Sequence, residues 1–301
     1  MNQKVNDIII IGTGPAGVSA AIYLLRAGYN PLILEKSFPG GKLNTIEKIE
    51  NYPGYVENTG PDLAINLYKQ LQNLNANLVT ETVLKIEKID ELYLVRTNNN
   101  EYLAKYLVLA SGKTSRKFEC SNSKDYERNI HYCARCDGSL YKDKDVVIVG
   151  GGNSALSSAI YLSNIARNVT IINRSNALRA DKEEQEEIKN ISNIKVIYNS
   201  IVDKIEGDSN IEKVILNSGE EINTSAIFAC IGQDIDDGYY QNLNLESTKL
   251  GLIVDDKMKT SNDNIYACGD IIDKSLYQIV TAVSEGAIAA TSIMKDLRKK
   301  K

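Results

Sequence analysis

Cys133-Ala134-Arg135-Cys136 sets two thiols three positions apart, a spacing compatible with metal binding, disulfide exchange or a structural pair. A zinc site would need two further ligands, yet there is no second C-x-x-C and His131 is the only histidine. Metal binding is therefore disfavoured. Disulfide exchange needs one thiolate to attack and a second to resolve the mixed disulfide, and C-x-x-C puts both within reach on a tight turn. A helix start and Arg135 nearby would stabilise the thiolate. Asp137 follows directly and can exchange a proton with a leaving thiolate if burial shifts its titration. A buried cysteine pair and a helix-capping aspartate are the plainer alternatives. The other cysteines, Cys120, Cys230 and Cys268, have no partner in sequence and read as small buried hydrophobes. An odd total of five argues against a structural disulfide framework.

Two glycine loops carry the second kind of chemistry. Gly12-Thr13-Gly14-Pro15-Ala16-Gly17 follows a strand pattern and opens a helix pattern, the context in which G-x-G-x-x-G binds a dinucleotide. Glycines let the backbone turn tightly and approach a pyrophosphate at a helix amino terminus. Glu35 ends the next strand, where a carboxylate can accept both hydrogen bonds of an adenosine ribose. Gly150, Gly152 and Ala155 repeat the loop as G-x-G-x-x-A, with Asn153 and Ser154 at its helix start. Glu35 and Asn173 each lie 23 positions after the first glycine of their loop. Where the first unit has an acid, the second has Asn173-Arg174, with Arg179 nearby, a basic set suited to a 2'-phosphate. The first loop thus suits FAD and the second NADPH.

The elements that must position these residues follow from periodicity. VNDIIIIG, PAGVSAAIYLLRAG and PLILE form a strand, helix, strand unit. Pro61 to about Asn75 predicts a helix; strands follow near 78–80, 83–89 and 92–97, with an Asn98-Asn99-Asn100 turn, as a β-meander packed on the sheet. Tyr106 to Ala110 is an apolar strand, after which composition turns polar to about Ile130, the place for a domain crossover. DVVIVGGGNSALSSAIYLSNIARNVTIINR repeats the first unit. NIYACGDIIDKSLYQIVTAVSEGAIAATSI reads as strand, turn and long helix, and KDLRKKK as a frayed terminus. The acidic run from Asp181 to Glu187 reads as a solvated helix face. The fold class is α/β, with two Rossmann-like, three-layer nucleotide-binding domains.

The chain has 301 residues, 43% hydrophobic and 25% charged, enough for two cores. A net charge of -4 gives no basic footprint for nucleic acid. The amino-terminal apolar run is too short for a signal or membrane segment and leads straight into a glycine loop, so a cytoplasmic protein without membrane attachment is expected.

GTGPAG, Gly40-Gly41-Lys42, ENYPG at 50–54, HYCARCDG at 131–138, GGGNSA at 150–155 and IYACGD at 265–270 together resemble the bacterial-type thioredoxin reductases, over almost the whole chain. The resemblance implies a discontinuous FAD domain (1–115 and 241–301), with an NADPH-type domain carrying the dithiol (116–240) inserted into it, and a homodimer. It implies that Cys136 contacts the flavin, Cys133 attacks thioredoxin or a thioredoxin-like protein, and Asp137 is the acid. For FAD it implies Gly12, Thr13, Gly14, Pro15, Ala16, Glu35, Lys36, Gly41, Lys42, Leu43, Asn51, Val83, Ala110, Gly112, Gly269, Asp270, Gln278 and Ile279. For NADPH it implies Gly150, Gly152, Asn153, Ser154, Arg174 and Arg179.

Glutathione-reductase relatives carry their cysteine pair in the first FAD segment and a histidine base in an added domain. Residues 36–60 hold no cysteine here, which sets that branch aside. Against the resembled pattern, Asn173 and Ser175 replace members of a His-Arg-Arg signature, and Ser157 and Ser158 replace paired glutamates. The proline usual after Ile231-Gly232 is missing, Lys42 stands for a glutamine, Tyr277 for an arginine, and Ser139-Leu140 for two aromatics. Electron supply from ferredoxin, a flavin-dependent dithiol oxidase and a non-catalytic redox sensor are the alternative functions. His131 reads as a neighbour of the dithiol.

Overall fold

The computed structural model describes residues 4–46, 48–56 and 59–299. In chain order the strands and α-helices are β1 (Val5–Ile11), α1 (Pro15–Arg26), β2 (Leu32–Glu35), α2 (Gly60–Asn73), β3 (Asn77–Thr80), β4 (Val83–Ile89), β5 (Leu92–Thr97) and β6 (Glu101–Leu109). They continue with β7 (Thr114–Ser115), β8 (Ile130–His131), α3 (Ala134–Asp137), β9 (Asp145–Val149), α4 (Asn153–Ser163), β10 (Asn168–Ile172), α5 (Lys182–Lys189) and β11 (Ile194–Ile197). The last are β12 (Val202–Glu206), β13 (Lys213–Leu216), β14 (Glu221–Asn223), β15 (Ile227–Ala229), β16 (Gln233–Asp234), β17 (Ile265–Ala267) and α6 (Ile279–Lys299). Two compact units result: Met1–Thr114 with Ile235–Lys301, and Ser115–Asp234. The second crossover falls at 234/235, earlier than the expected 240/241, because Tyr239 and Tyr240 pack into the first unit's core and Tyr239 carbonyl accepts from the Ile86 N–H at 2.7 Å.

In the first unit the sheet order is β3-β2-β1-β6-β5-β4, with β17 also on β6. The four isoleucines of β1 are all buried because the strand is central and covered on both faces. Ile8 and Ile10 join α1, α2 and α6 in one core, while Ile9 and Ile11 join Tyr239, Leu243, Leu252 and Ile271 in the other. Along the edge away from β1, β6 is long enough to serve two partners. Its first half pairs antiparallel with β5 and its second half parallel with β17. The meander, expected to pack on the sheet, is hydrogen-bonded into it through β6, and Ile86, Tyr93 and Val95 share the second core.

α2 begins at Gly60, one residue before the expected Pro61, because Thr59 and Asp62 form a reciprocal capping box. α6 continues through Lys299, so the KDLRKKK segment is not frayed there. The Tyr266 hydroxyl donates to Asp296 at 2.7 Å, which ties that turn to β17. Lys300 and Lys301 lie outside the described residues.

The second unit repeats the design with a five-stranded sheet, β11-β10-β9-β15-β8, whose pairings are all parallel. Val146 and Ile148 of β9 pack under α4, and Val147 faces the antiparallel sheet β12-β13-β14. Covering both faces explains why β9 is apolar from Val146 to Val149.

Candidate active site

The two glycine loops match down to their hydrogen bonds. Gly12 N–H donates to Leu34 carbonyl (2.8 Å) and Gly150 N–H to Ile172 carbonyl (3.0 Å); Ala110 N–H donates to Ile11 carbonyl (2.9 Å) and Cys230 N–H to Val149 carbonyl (2.8 Å). Each first glycine has positive φ and abuts the end of the adjoining strand, so a Cβ would lie 2.5 Å from Ala110 O or 2.2 Å from Cys230 O. Gly14 and Gly152 are the N-caps of α1 and α4. They supply no capping side chain, and nothing lies within 4 Å of the Cβ either would carry. No side chain at either cap therefore blocks the approach to its helix terminus, as an anion-binding site requires.

In the first unit the expected FAD residues gather at the carboxyl ends of parallel strands: Gly12 to Ala16 after β1, Glu35 closing β2, Ala110 to Gly112 after β6, and Gly269-Asp270 after β17. Glu35 is buried and accepts from Thr13 N–H (2.8 Å), Thr13 hydroxyl (2.6 Å) and Ser37 N–H (3.1 Å). A carboxylate has acceptor capacity beyond these three. Gly40 N–H bonds Thr13 carbonyl at 3.0 Å, which holds the turn bearing Gly41 and Lys42 against the loop, and Leu43 anchors it in a small core. Lys42 Nζ lies 3.0 Å from Asp270 Oδ2, and Asn51 Nδ2 donates to Gln278 Oε1 at 3.0 Å. Chain positions more than two hundred apart are thereby joined. Lys36 is exposed, Val83 is half-buried at the start of β4, and Ile279 opens α6.

One network here was not legible in sequence. Glu285 of α6 accepts from Gly269 N–H at 2.8 Å and from Lys274 Nζ at 2.8 and 3.0 Å, with side chains only 11% and 10% exposed. Lys274 also reaches within 4.0 Å of Asp270. A buried ion pair thus fixes the glycine-aspartate turn, and its members carry no motif spacing. Nor did any signal mark the Ser111–Tyr239 hydroxyl pair at 2.8 Å.

In the second unit Asn173 is buried beside Gly151, and its Nδ2 donates to the carbonyls of Ser175 (3.1 Å) and Ala177 (2.9 Å). It shapes the turn that presents Arg174. Both Arg174 and Arg179 are exposed, and Arg179 N–H bonds Gly151 carbonyl at 2.6 Å, which seats that arginine's backbone on the loop. Asn153 closes the other side: its Nδ2 donates to Asp181 (2.7 Å) and its Oδ1 accepts from Asp181 N–H (3.0 Å). Ser154 follows in the first turn of α4. The acidic helix is largely solvated as expected, except that Glu184 turns inward and accepts from Ser157.

Cys133 and Cys136 are joined as a disulfide, with Cα atoms 5.3 Å apart. Cys133 caps α3, its Sγ accepting from Cys136 N–H at 3.1 Å. α3 is a single turn, so its dipole is small, and the Arg135 guanidinium lies over the Tyr161 ring at 5.4 Å. The thiolate support expected from helix and arginine is correspondingly modest. Asp137 makes no capping bond; its Oδ2 lies 3.1 Å from His131 Nδ1. Cys136 is exposed, and the nearby Leu140 is 65% exposed. Of the other cysteines only Cys268 is fully buried; Cys120 and Cys230 are partly so, with Cys230 Sγ 3.6 Å from Ser158 Oγ. Among the described residues no helix is long and apolar enough to cross a membrane.

Two nucleotide-binding units in one chain, with a disulfide at the head of the second, define a dinucleotide-linked disulfide oxidoreductase fold. The sequence matches the pyridine nucleotide-disulphide oxidoreductase family over residues 6–286, and the chain belongs to that family. It is 37% identical over 297 residues to a thioredoxin reductase of Ureaplasma parvum, covering 96% of each chain. The thioredoxin reductase of Lactococcus lactis in its FR conformation superposes with a TM-score of 0.91 at 34% identity, covering 98% of this chain and 99% of that one. That of T. acidophilum gives 0.89 at 31% identity, covering 98% and 100%.

Proposed function

We propose that the protein is a thioredoxin reductase, passing electrons from NADPH through FAD and the Cys133–Cys136 pair to thioredoxin or a thioredoxin-like protein. The observation that carries this reading is the disulfide at the head of the second nucleotide unit. The amino terminus of α1 would hold the FAD pyrophosphate and Glu35 its adenosine ribose. Lys42, Asp270, Asn51 and Gln278 would hold the remainder. Bound FAD supplies two-electron transfer between a nicotinamide and a disulfide.

The chain's own residues do the rest. Arg174 and Arg179 would bind a 2'-phosphate, and among the described residues neither guanidinium has an acidic partner in competition. Cys136 receives the electron pair, Cys133 attacks the partner disulfide, and Asp137 hands a proton to the departing sulfur. The same reading makes the protein a cytoplasmic homodimer.

Anaerobic titration tests the electron supply. NADPH should bleach the flavin at lower concentration than NADH does. Bleaching by reduced ferredoxin, with neither nucleotide effective, would replace the donor assigned here.

A further inference from the structure

His131 is held on both ring nitrogens and on its ring face, more firmly than a bystander needs to be. β8 pairs with β15 so that His131 stands opposite Phe228, with ring centroids 5.2 Å apart. Tyr141, from the turn after α3, meets the imidazole edge-on at 5.2 Å, and its hydroxyl lies 2.7 Å from Nε2. The other nitrogen, Nδ1, lies 3.1 Å from Asp137 Oδ2, and the histidine side chain is only 12% exposed. Burial, chiefly, raises the Tyr141 phenol above its ordinary range, with Asp137 adding to the effect, so it stays an O–H donor at neutral pH. Nδ1 therefore faces the Asp137 carboxylate and Nε2 the Tyr141 hydroxyl, which can donate to or accept from the ring as its proton comes and goes.

The geometry points to His131 as a positioning residue that orients Asp137 and shares with it the proton delivered to the departing thiolate. This rests on the role given to Asp137 above. In the exchange, the Cys133 thiolate bonds to one sulfur of the partner disulfide and the partner's own S–S bond breaks. The departing sulfur keeps the electron pair and takes one proton. The His131–Asp137 pair supplies it, passing from imidazolium and carboxylate to neutral imidazole and carboxylate, with Asp137 as the group that hands it over. The Cys136 thiol returns one proton to the pair as its sulfur attacks the mixed disulfide. That step closes the Cys133–Cys136 bond, and the partner's second sulfur is protonated in the same way. No further oxidant or reductant enters.

The charged and titratable groups around the ring are few. Asp137 presents its carboxylate to Nδ1, and Tyr141 is neutral. Lys144 has its Nζ 5.7 Å from the centre of the Tyr141 ring, and Arg135 is turned onto Tyr161 of α4. Phe228 contributes only an apolar wall.

The test follows pre-reduced, FAD-loaded enzyme reacting with thioredoxin disulfide in stopped flow across the pH range. His131→Leu should slow this step by about tenfold or more. It should also move the pH of half-maximal rate on the alkaline side down by about one unit or more, because a lone carboxyl gives up its proton at lower pH than an imidazolium. His131→Asn keeps an N–H near the position of Nδ1 but cannot hold a proton. It should restore much of the rate at low pH while keeping the downward shift, and it carries the test if the leucine variant fails to fold. Wild-type rate and wild-type profile in both variants, alongside a slowed Asp137→Asn enzyme, would overturn the proposal alone. A wild-type rate in Asp137→Asn would instead remove the acid role on which it stands.

Discussion

Thr13 and Glu35 are joined twice: the threonine's backbone N–H and its hydroxyl both donate to one carboxylate oxygen, at 2.8 and 2.6 Å. The loop that would meet a pyrophosphate and the acid that would meet a ribose are therefore one rigid unit. Glu35→Ala should strand the Thr13 and Ser37 donors, costing about 2 kcal/mol of stability, and should weaken FAD binding at least tenfold. Thr13→Val, which keeps the backbone bond, should cost only about 1 kcal/mol. Thermal unfolding of the apoprotein and flavin fluorescence titration read the two effects; unaltered FAD affinity in Glu35→Ala would contradict the assignment.

Gly17 and Ala155 occupy the same place in the two loops but differ in the room behind them. A Cβ at Gly17 would lie 1.9 Å from Gly12 O, a backbone atom that cannot swing aside, whereas Ala155 is accommodated fully buried. Gly17→Ala should destabilise by about 3 kcal/mol and release FAD. Ala155→Gly should cost only about 1 kcal/mol. Urea unfolding of both variants gives the comparison, and equal costs would count against the loop geometry.

Glu184 makes stability depend on pH. Burial, aided by Asp181, Glu187 and Glu183, raises its carboxyl above the ordinary value, against the lowering effect of the Ser157 hydroxyl. One of its oxygens is buried without a hydrogen-bond partner. Because the folded-state value lies above the unfolded one, the protonated form favours folding. That contribution is fully present below the unfolded value and lost as pH rises through the folded value. Glu184→Gln should therefore raise the melting temperature at pH 8 and leave it nearly unchanged at pH 4. A gain at pH 4 alone would reverse the sign.

The remaining thiols should be silent. Burial pushes the Cys268 thiol up to about 12 and raises that of Cys230 as well. At pH 8 the thiolate fraction of Cys268 is on the order of one in ten thousand. Alkylation of the reduced holoenzyme at that pH, mapped by mass spectrometry, should label Cys133 and Cys136 well before Cys230 or Cys268. The latter two should react only after unfolding.

How much of this was legible in the sequence follows from how local each signal is. The strand, glycine loop and helix repeat was readable because Gly12 and Gly150 act through neighbours at fixed offsets. The pairing of β5 with one half of β6 and β17 with the other was not, since register on a shared strand is set by tertiary packing. Lys274 and Glu285 meet across a helix start with no motif, and His131 reaches Asp137 only because β8 adds to the sheet beside Phe228. The serine at 157 first reads as a loss of the family's glutamate. In the structure it donates a hydrogen bond to an inward-turned Glu184, where a second carboxylate would repel.

The central claim is that Cys133 and Cys136 take an electron pair from the flavin and deliver it to a partner disulfide. Anaerobic reductive titration of the FAD-loaded enzyme beside its Cys136→Ser variant tests it most directly. Full reduction of the wild-type protein should consume one more electron pair per flavin than the variant, and the variant should bleach with NADPH yet fail to reduce thioredoxin. Equal electron uptake, or thioredoxin turnover by the variant at the wild-type rate, would contradict the account.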